Sequence, residues 1–139
     1  VQKGKHELLL LQISWRDEYR VGVHRFDSQH RDLFSFANQL IYALVNDESE
    51  AVLKEMIVKI FVKARQHFME EEKYLKRKKY PRLDPHHKEH EILLSTFSDK
   101  IALFQKGTIS AWDFGDYVCN ELIAKHIMKE DKLSFEAIV

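Results

Sequence analysis

Turn-forming and chain-breaking residues are scarce in this sequence. Four glycines and two prolines in 139 residues are too few to punctuate the many short strands of a sandwich or barrel, and they favour long helices. A single cysteine, Cys119, excludes an internal disulfide. A reducing compartment is the simplest reading, so the expected location is the cytoplasm. Net charge is missing as well: Lys+Arg and Asp+Glu both number 22, which leaves no global field to draw in nucleic acid or an anionic membrane. The longest apolar run near the start, Leu8 to Leu11, falls far short of the roughly 20 residues that cross a bilayer. It also lacks the length and cleavage site of a signal peptide, so no membrane insertion is expected. There is no repeat of solenoid period and no low-complexity tract.

What is present has the balance of an ordinary globular domain, with 45% hydrophobic and 32% charged residues, in a length that suits one domain with a real core. Residues 1–13 read as an extension or linker and 14–139 as the domain. Within it, an arm reaching residue 25 carries Trp15, Tyr19, Val21 and Val23 around Gly22 and reads as an extended segment packed on helices.

Four helical segments follow. The first is expected from Asp27, a suitable N-cap, to Val45, with Leu33, Phe34, Ala37, Leu40, Ile41 and Leu44 on a 3.6-residue stripe that His30 begins. The second is expected from Glu50 to about Lys78, with His67 and Glu71 inside its apolar stripe and the basic run Lys76 to Lys79 at the negative end of its dipole. Asp84-Pro85 starts the third as cap and first helical residue, and Gly107 suits its C′ position. The fourth runs from after Thr108 or Ser110 to about Phe135, with Cys119, Leu122, Ile123 and His126 on one face. Long helices with short connections predict an all-α, antiparallel up-down-up-down four-helix bundle with an N-terminal arm.

The chemistry lies in where eight histidines fall. His30, His67, His86, His90 and His126 all sit on apolar stripes and should point inward. One such residue is ordinarily a hydrogen-bonded core histidine. Five on four facing helices cannot readily satisfy one another, and each unsatisfied buried group costs roughly 1–3 kcal/mol. A metal removes that cost by accepting an imidazole lone pair. His67 and Glu71 stand at i and i+4, as do His86 and His90, so each pair reaches one point in the core. Five imidazoles with two carboxylates exceed what one tetrahedral zinc uses; they suit two bridged metals, and imidazole with carboxylate is a common iron environment. For the second carboxylate, helical spacing alone favours Glu130, at i+4 from His126, over Asp131, which lies about 140° further round.

The segment from Trp15 to Val23 with Phe26-Asp27-Ser28-Gln29-His30, the run His67-Phe68-Met69-Glu70-Glu71-Glu72, Tyr80-Pro81 before His86-x-x-x-His90, and His126-Ile127-x-x-x-Asp131 together resemble the bacterial hemerythrins over about residues 14–135. The resemblance implies a non-enzymatic protein that binds dioxygen reversibly at two iron ions bridged by oxo or hydroxo oxygen. In the family's scheme His86, His90 and His126 hold one iron and His30 and His67 the other. Glu71 and Asp131 bridge them, so the family's choice differs from that of simple spacing. The second iron keeps an open position for dioxygen. Phe68, Leu122, Ile123 and Ile127 would line the oxygen pocket, with Leu122 standing where relatives often carry tryptophan.

The remaining candidates have plainer readings. His87 should face solvent or the rim, His6 and His24 belong to the arm's surface, and Cys119 is core. Three rivals remain. A ferritin-type oxidase or iron store would use Glu-x-x-His pairs, and no glutamate stands three residues before any histidine. A sensing module, with a signalling domain in the same chain as its partner, fits the lead-in His6 to Leu11. A metal-free structural bundle conflicts with the inward histidines.

Overall fold

The computed structural model describes residues 15–138, and among them there is no strand. The four long helices are α1 (His24–Val45), α2 (Glu50–Arg77), α3 (Leu83–Gln105) and α4 (111–137). The connections 46–49, 78–82 and 106–110 are short enough to force consecutive helices antiparallel. α1 packs on α2 and α4, and α2 on α3. α3 meets α4 through Phe97 and Phe104 against the ring of Phe114, and through the Tyr117 hydroxyl, which donates to the Leu93 carbonyl at 2.9 Å. No helix among the described residues is long and apolar enough to cross a membrane.

The interior follows the apolar stripes. Leu33, Phe34, Ala37, Leu40 and Ile41 of α1 meet Ile57, Ile60, Ala64 and Phe68 of α2 and Val118, Leu122 and Ile123 of α4, all buried. Each large side chain so buried stabilises by roughly 1.5–3 kcal/mol. A second, all-aromatic contact closes one end, where Phe26 and Tyr74 pack on Phe135.

Several boundaries differ from the sequence reading, for local reasons. α1 begins at His24, not Asp27, with Val23 at its N-cap. Asp27 lies buried in the first turn, and its carboxylate accepts the backbone N–H of Val21 at 2.7 Å and of Gly22 at 3.3 Å. It thus ties the arm to the helix instead of capping it. Gly22 sits at φ +89°, a left-handed conformation natural only to glycine. α3 starts two residues early, at Leu83 with Arg82 at its N-cap, which places Asp84 in the first turn rather than at the cap. The arm is not wholly extended: Asp17–Tyr19 forms one 3-10 turn, and Trp15 and Tyr19 pack edge-on and tilted against Phe34. The expected extension at residues 1–13 lies outside the described residues. The other helix ends carry ordinary caps, of which Gly107 and the start after Ser110 are as read. Ser49 caps α2 by accepting the Val52 N–H. Gly107 takes φ +77° past the end of α3. Ser110 and Asp113 form a reciprocal capping box that starts α4.

The main departure is inside α4. Only Ala111–Tyr117 and Lys132–Ala137 are α-helical; Val118–Asp131 is a π-helix, with i→i+5 hydrogen bonds.

Candidate metal centre

Antiparallel order brings the start of α1, the end of α2, the start of α3 and the later part of α4 to the same end of the bundle. Each delivers its share of one cluster: His30 from α1, His67 and Glu71 from α2, His86 and His90 from α3, and His126 and Asp131 from α4. All seven are buried, none more than 5% exposed.

On α2 and α3 ordinary helical spacing aims both side chains at one point. On α4 the wide turn does it. Five residues along an α-helix leave two side chains about 140° apart, whereas an i→i+5 turn stacks them. Asp131 Oδ1 lies 2.9 Å from His126 Nε2. Glu130 is half-buried and outside the cluster.

The seven groups sort themselves into two sets that share their carboxylates. His30 and His67 bring their Nε2 atoms to 3.0 Å, and His90 and His126 to 2.9 Å. Glu71 Oε1 contacts His86 Nε2 at 2.6 Å and His90 Nε2 at 3.4 Å, while Oε2 faces His67 Nε2 at 3.3 Å. Asp131 divides the same way. Oδ2 faces His30 at 3.2 Å and His67 at 3.4 Å, and Oδ1 faces His126 and, at 3.4 Å, His86. Each carboxylate thus presents one oxygen to a two-histidine set and the other to a three-histidine set.

The electrostatics show how strongly this pocket wants positive charge. Burial, and repulsion from Asp131, would lift Glu71; the adjoining imidazoles of His67, His86 and His90 outweigh both and hold it down at about 2. Burial would likewise raise Asp131, yet His126, His30 and His67 keep it well below the usual carboxylate range. The imidazoles move in the opposite direction. Burial lowers them, but the nearby carboxylates of Asp131 and Glu71 prevail and push His67 up to about 9 and, with the hydrogen bond to Glu72, His90 to about 11. For His126 the adjacent charge of Asp131 prevails over burial and raises it to about 9. Without another cation, protons play that part.

Three observations fit metal ions in place of those protons. All five Nε2 atoms converge, so every ring turns its lone-pair position inward. Glu71 Oε2 and Asp131 Oδ1 have imidazole nitrogens near them but make no aligned hydrogen bond, which leaves buried anionic oxygens unsatisfied. Finally, two nitrogens each about 2.1 Å from one ion stand about 3.0 Å apart at a right angle and about 3.4 Å apart at the tetrahedral angle. The Nε2 pairs at 3.0 and 2.9 Å match the former.

Around the cluster, Phe68 stacks on His90 with centroids 4.0 Å apart and planes 7° apart, and meets His126 edge-on. Phe68, Leu122, Ile123 and Ile127 are all buried. Two outer partners escaped the sequence reading. Gln29 Oε1 accepts from His67 Nδ1 at 2.6 Å, and Glu72 Oε2 accepts from His90 Nδ1 at 2.8 Å. Each adjoins a cluster residue in sequence, but within Glu70-Glu71-Glu72 a second useful carboxylate looks like a solvated helix face. Burial would raise Glu72, and its hydrogen bonds to His90 and His87 lower it. His87 is exposed, contacting Glu72 and Glu91, and His24 is exposed in the first turn of α1. Cys119 is a buried thiol that burial and Asp116 push up to about 11. His6 lies outside the described residues.

Comparison with known proteins gives a consistent picture. The profile of the family described as the hemerythrin HHE cation binding domain matches residues 21–138. A bacteriohemerythrin of Clostridium acetobutylicum is 31% identical over 127 residues, covering 85% of this chain and 95% of that protein. A bacteriohemerythrin of Stenotrophomonas maltophilia is 28% identical over 93 residues, 67% of this chain and 60% of that protein. No solved structure matches significantly.

Proposed function

The chain belongs to the hemerythrin HHE cation binding family, and from that premise we propose that it holds two iron ions and binds dioxygen reversibly, as a binding protein and not an enzyme. The observation that carries the reading is the division of each buried carboxylate, Glu71 and Asp131, between a set of three imidazoles and a set of two. That is the ligand arrangement of a bridged pair, and right-angle spacing of the imidazole nitrogens suits iron better than a tetrahedral zinc. When bound, the iron pair supplies the two electrons that dioxygen takes up and returns.

The protein's own groups set the terms. His86, His90 and His126, with one oxygen from each carboxylate, would hold one ion. His30 and His67, with the other two oxygens, would hold the second with one protein ligand fewer, and dioxygen would bind on that side. The Nδ1 hydrogens of His67 and His90 are engaged by Gln29 and Glu72, which fixes the tautomer that frees Nε2. The walls of Phe68, Leu122, Ile123 and Ile127 offer no polar group to hold water. No Glu-x-x-His pair serves a ferritin-type site. The use of such binding would be carriage, storage or sensing. Leu122 favours sensing within a larger signalling protein, because a smaller wall than an indole admits water and shortens the life of the oxygen complex.

Metal analysis with an anaerobic-to-air optical titration tests the proposal. The expected result is about two irons per chain and a reversible near-ultraviolet and visible change. Stoichiometric zinc and no iron, reproduced after iron supplementation, would refute it.

A further inference from the structure

The two halves of the cluster are backed by different chemistry. On the three-histidine side His90 donates its Nδ1 hydrogen to a carboxylate, Glu72 Oε2, at 2.8 Å. On the two-histidine side His67 donates to a neutral amide oxygen, Gln29 Oε1, at 2.6 Å. The buried Nδ1 atoms of His30 and His126 form no hydrogen bond; Glu89 Oε1 is 3.8 Å from the latter, too far for one. The outer hydrogen bonds seen among the described residues fall on His90 in one set and His67 in the other, and the two supports differ by a full charge.

Both supports are held in orientation. Glu72 reaches from α2 to α3, where its Oε1 contacts His87, three residues before His90 on the same helix. His87 in turn meets Glu91 Oε1 at 2.9 Å. Gln29 donates its Nε2 hydrogen to Glu70 Oε1 at 3.3 Å, which turns its oxygen toward His67.

A carboxylate accepting from the far nitrogen of a ligating imidazole makes the near nitrogen a stronger donor, and charge-assisted hydrogen bonds are about twice as strong as neutral ones. We propose that Glu72 is a positioning residue for the three-histidine half, and that its charge, set against the neutral Gln29, makes the two ion positions unequal in affinity. This rests on the two-ion reading above. The three-histidine ion leaves last because its ligand set is backed by an anion as well as larger by one ring.

The test is release of ferrous iron from the loaded, anaerobic protein into an excess of a ferrous chelator. Wild type should lose iron in two phases. Glu72→Gln keeps shape and an acceptor oxygen but removes the charge, so the slow phase should quicken by about 10–100-fold while the fast phase stays within about twofold. Glu50→Gln, an exposed residue in the first turn of α2 at the opposite end of that helix from Glu72, should leave both phases unchanged. The exchange Gln29→Glu with Glu70→Gln preserves their mutual hydrogen bond and places a carboxylate behind His67, so the fast phase should slow. Melting of each metal-free variant checks its fold, and the exchange variant still decides the matter should Glu72→Gln fold poorly. An unchanged slow phase in Glu72→Gln, equal acceleration of both phases, an unchanged fast phase in the exchange variant, or single-phase loss from a wild type holding two irons overturns the inference alone. A wild type that takes up no iron pair overturns the two-ion reading beneath it.

Discussion

Replacing Asp131 by asparagine separates the charge of this residue from its shape. Its carboxylate is fully buried and lies 3.2 Å from His30, 3.4 Å from His67 and His86, and 2.9 Å from His126. Removing one partner from a buried charge network costs about 3–5 kcal/mol, because the others are left uncompensated. Here the imidazoles can shed protons, which points to the lower end, about 3 kcal/mol. At about 3–4 °C per kcal/mol for a domain of this size, melting of the metal-free protein should fall by about 10 °C. The loaded protein should lose more, because one ion position loses its oxygen to an amide nitrogen that does not ligate, the other keeps only a neutral carbonyl, and the absorption of the bridged pair disappears. Glu130→Gln is the control: a half-buried side chain outside the cluster should change stability by no more than about 0.5 kcal/mol and keep the spectrum. The assays are calorimetry of both forms, metal content and the near-ultraviolet to visible spectrum. If Asp131→Asn keeps two irons and the spectrum while Glu130→Gln loses them, the wide turn does not deliver the ligand and the assignment fails.

His86→Ala or His90→Ala should lower iron content and shrink the gap in melting temperature between loaded and metal-free protein, since metal bound only to the folded state stabilises by mass action; unchanged iron and melting would remove that residue from the ligand set. The pairs made by His67 and His126, raised to about 9, and His90, raised to about 11, add stability that is complete below the unfolded histidine value and lost as pH climbs through those values. Glu71, held at about 2, adds stability that is complete above the usual carboxylate range and lost as pH falls through its lowered value. Metal-free protein should therefore melt highest in mildly acidic buffer and lose stability toward alkaline pH, and a flat alkaline limb would contradict the pairing. Leu122→Trp adds volume at a buried wall, costing about 1–3 kcal/mol; if it folds with its iron, the oxygenated spectrum should decay more slowly and azide should enter more slowly. Equal rates would show that residue 122 does not gate the site.

Four helices and the inward histidines were legible in the sequence because both depend on side-chain periodicity, which repeats many times along each segment. Helix starts were less legible. Asp27 has the chemistry of an N-cap, but its carboxylate serves the amides of Val21 and Gly22, a choice fixed by the arm's path rather than by the helix. The π-helix was out of reach of periodicity, since the apolar positions Val118, Cys119, Leu122, Ile123, His126 and Ile127 read equally well on an α-helix. Only the i+5 step to Asp131 betrays it. Gln29 and Glu72 were missed because an outer partner has no spacing rule of its own; it is defined by where a neighbouring helix places an imidazole.

The convergence of all seven groups at one end also matters for the chain as a polymer. An ion held there is a cross-link. One position would join residues 15 and 36 apart in sequence and the other residues 37 and 101 apart, and a tie across about 100 residues removes about 4.7 kcal/mol of denatured-state entropy in the chain-entropy picture. Such a tie dissolves when its ligands separate, so its strength follows the free metal concentration. The far end of the bundle, where the connections 46–49 and 106–110 turn, has side-chain packing and helix caps but, among the described residues, no such tie. Opening free energies should accordingly rise along the bundle axis, with amide exchange fastest around those turns and slowest beside the cross-link. A loaded molecule would then come apart like a clamp hinged at the metal, its helices parting from the free end first.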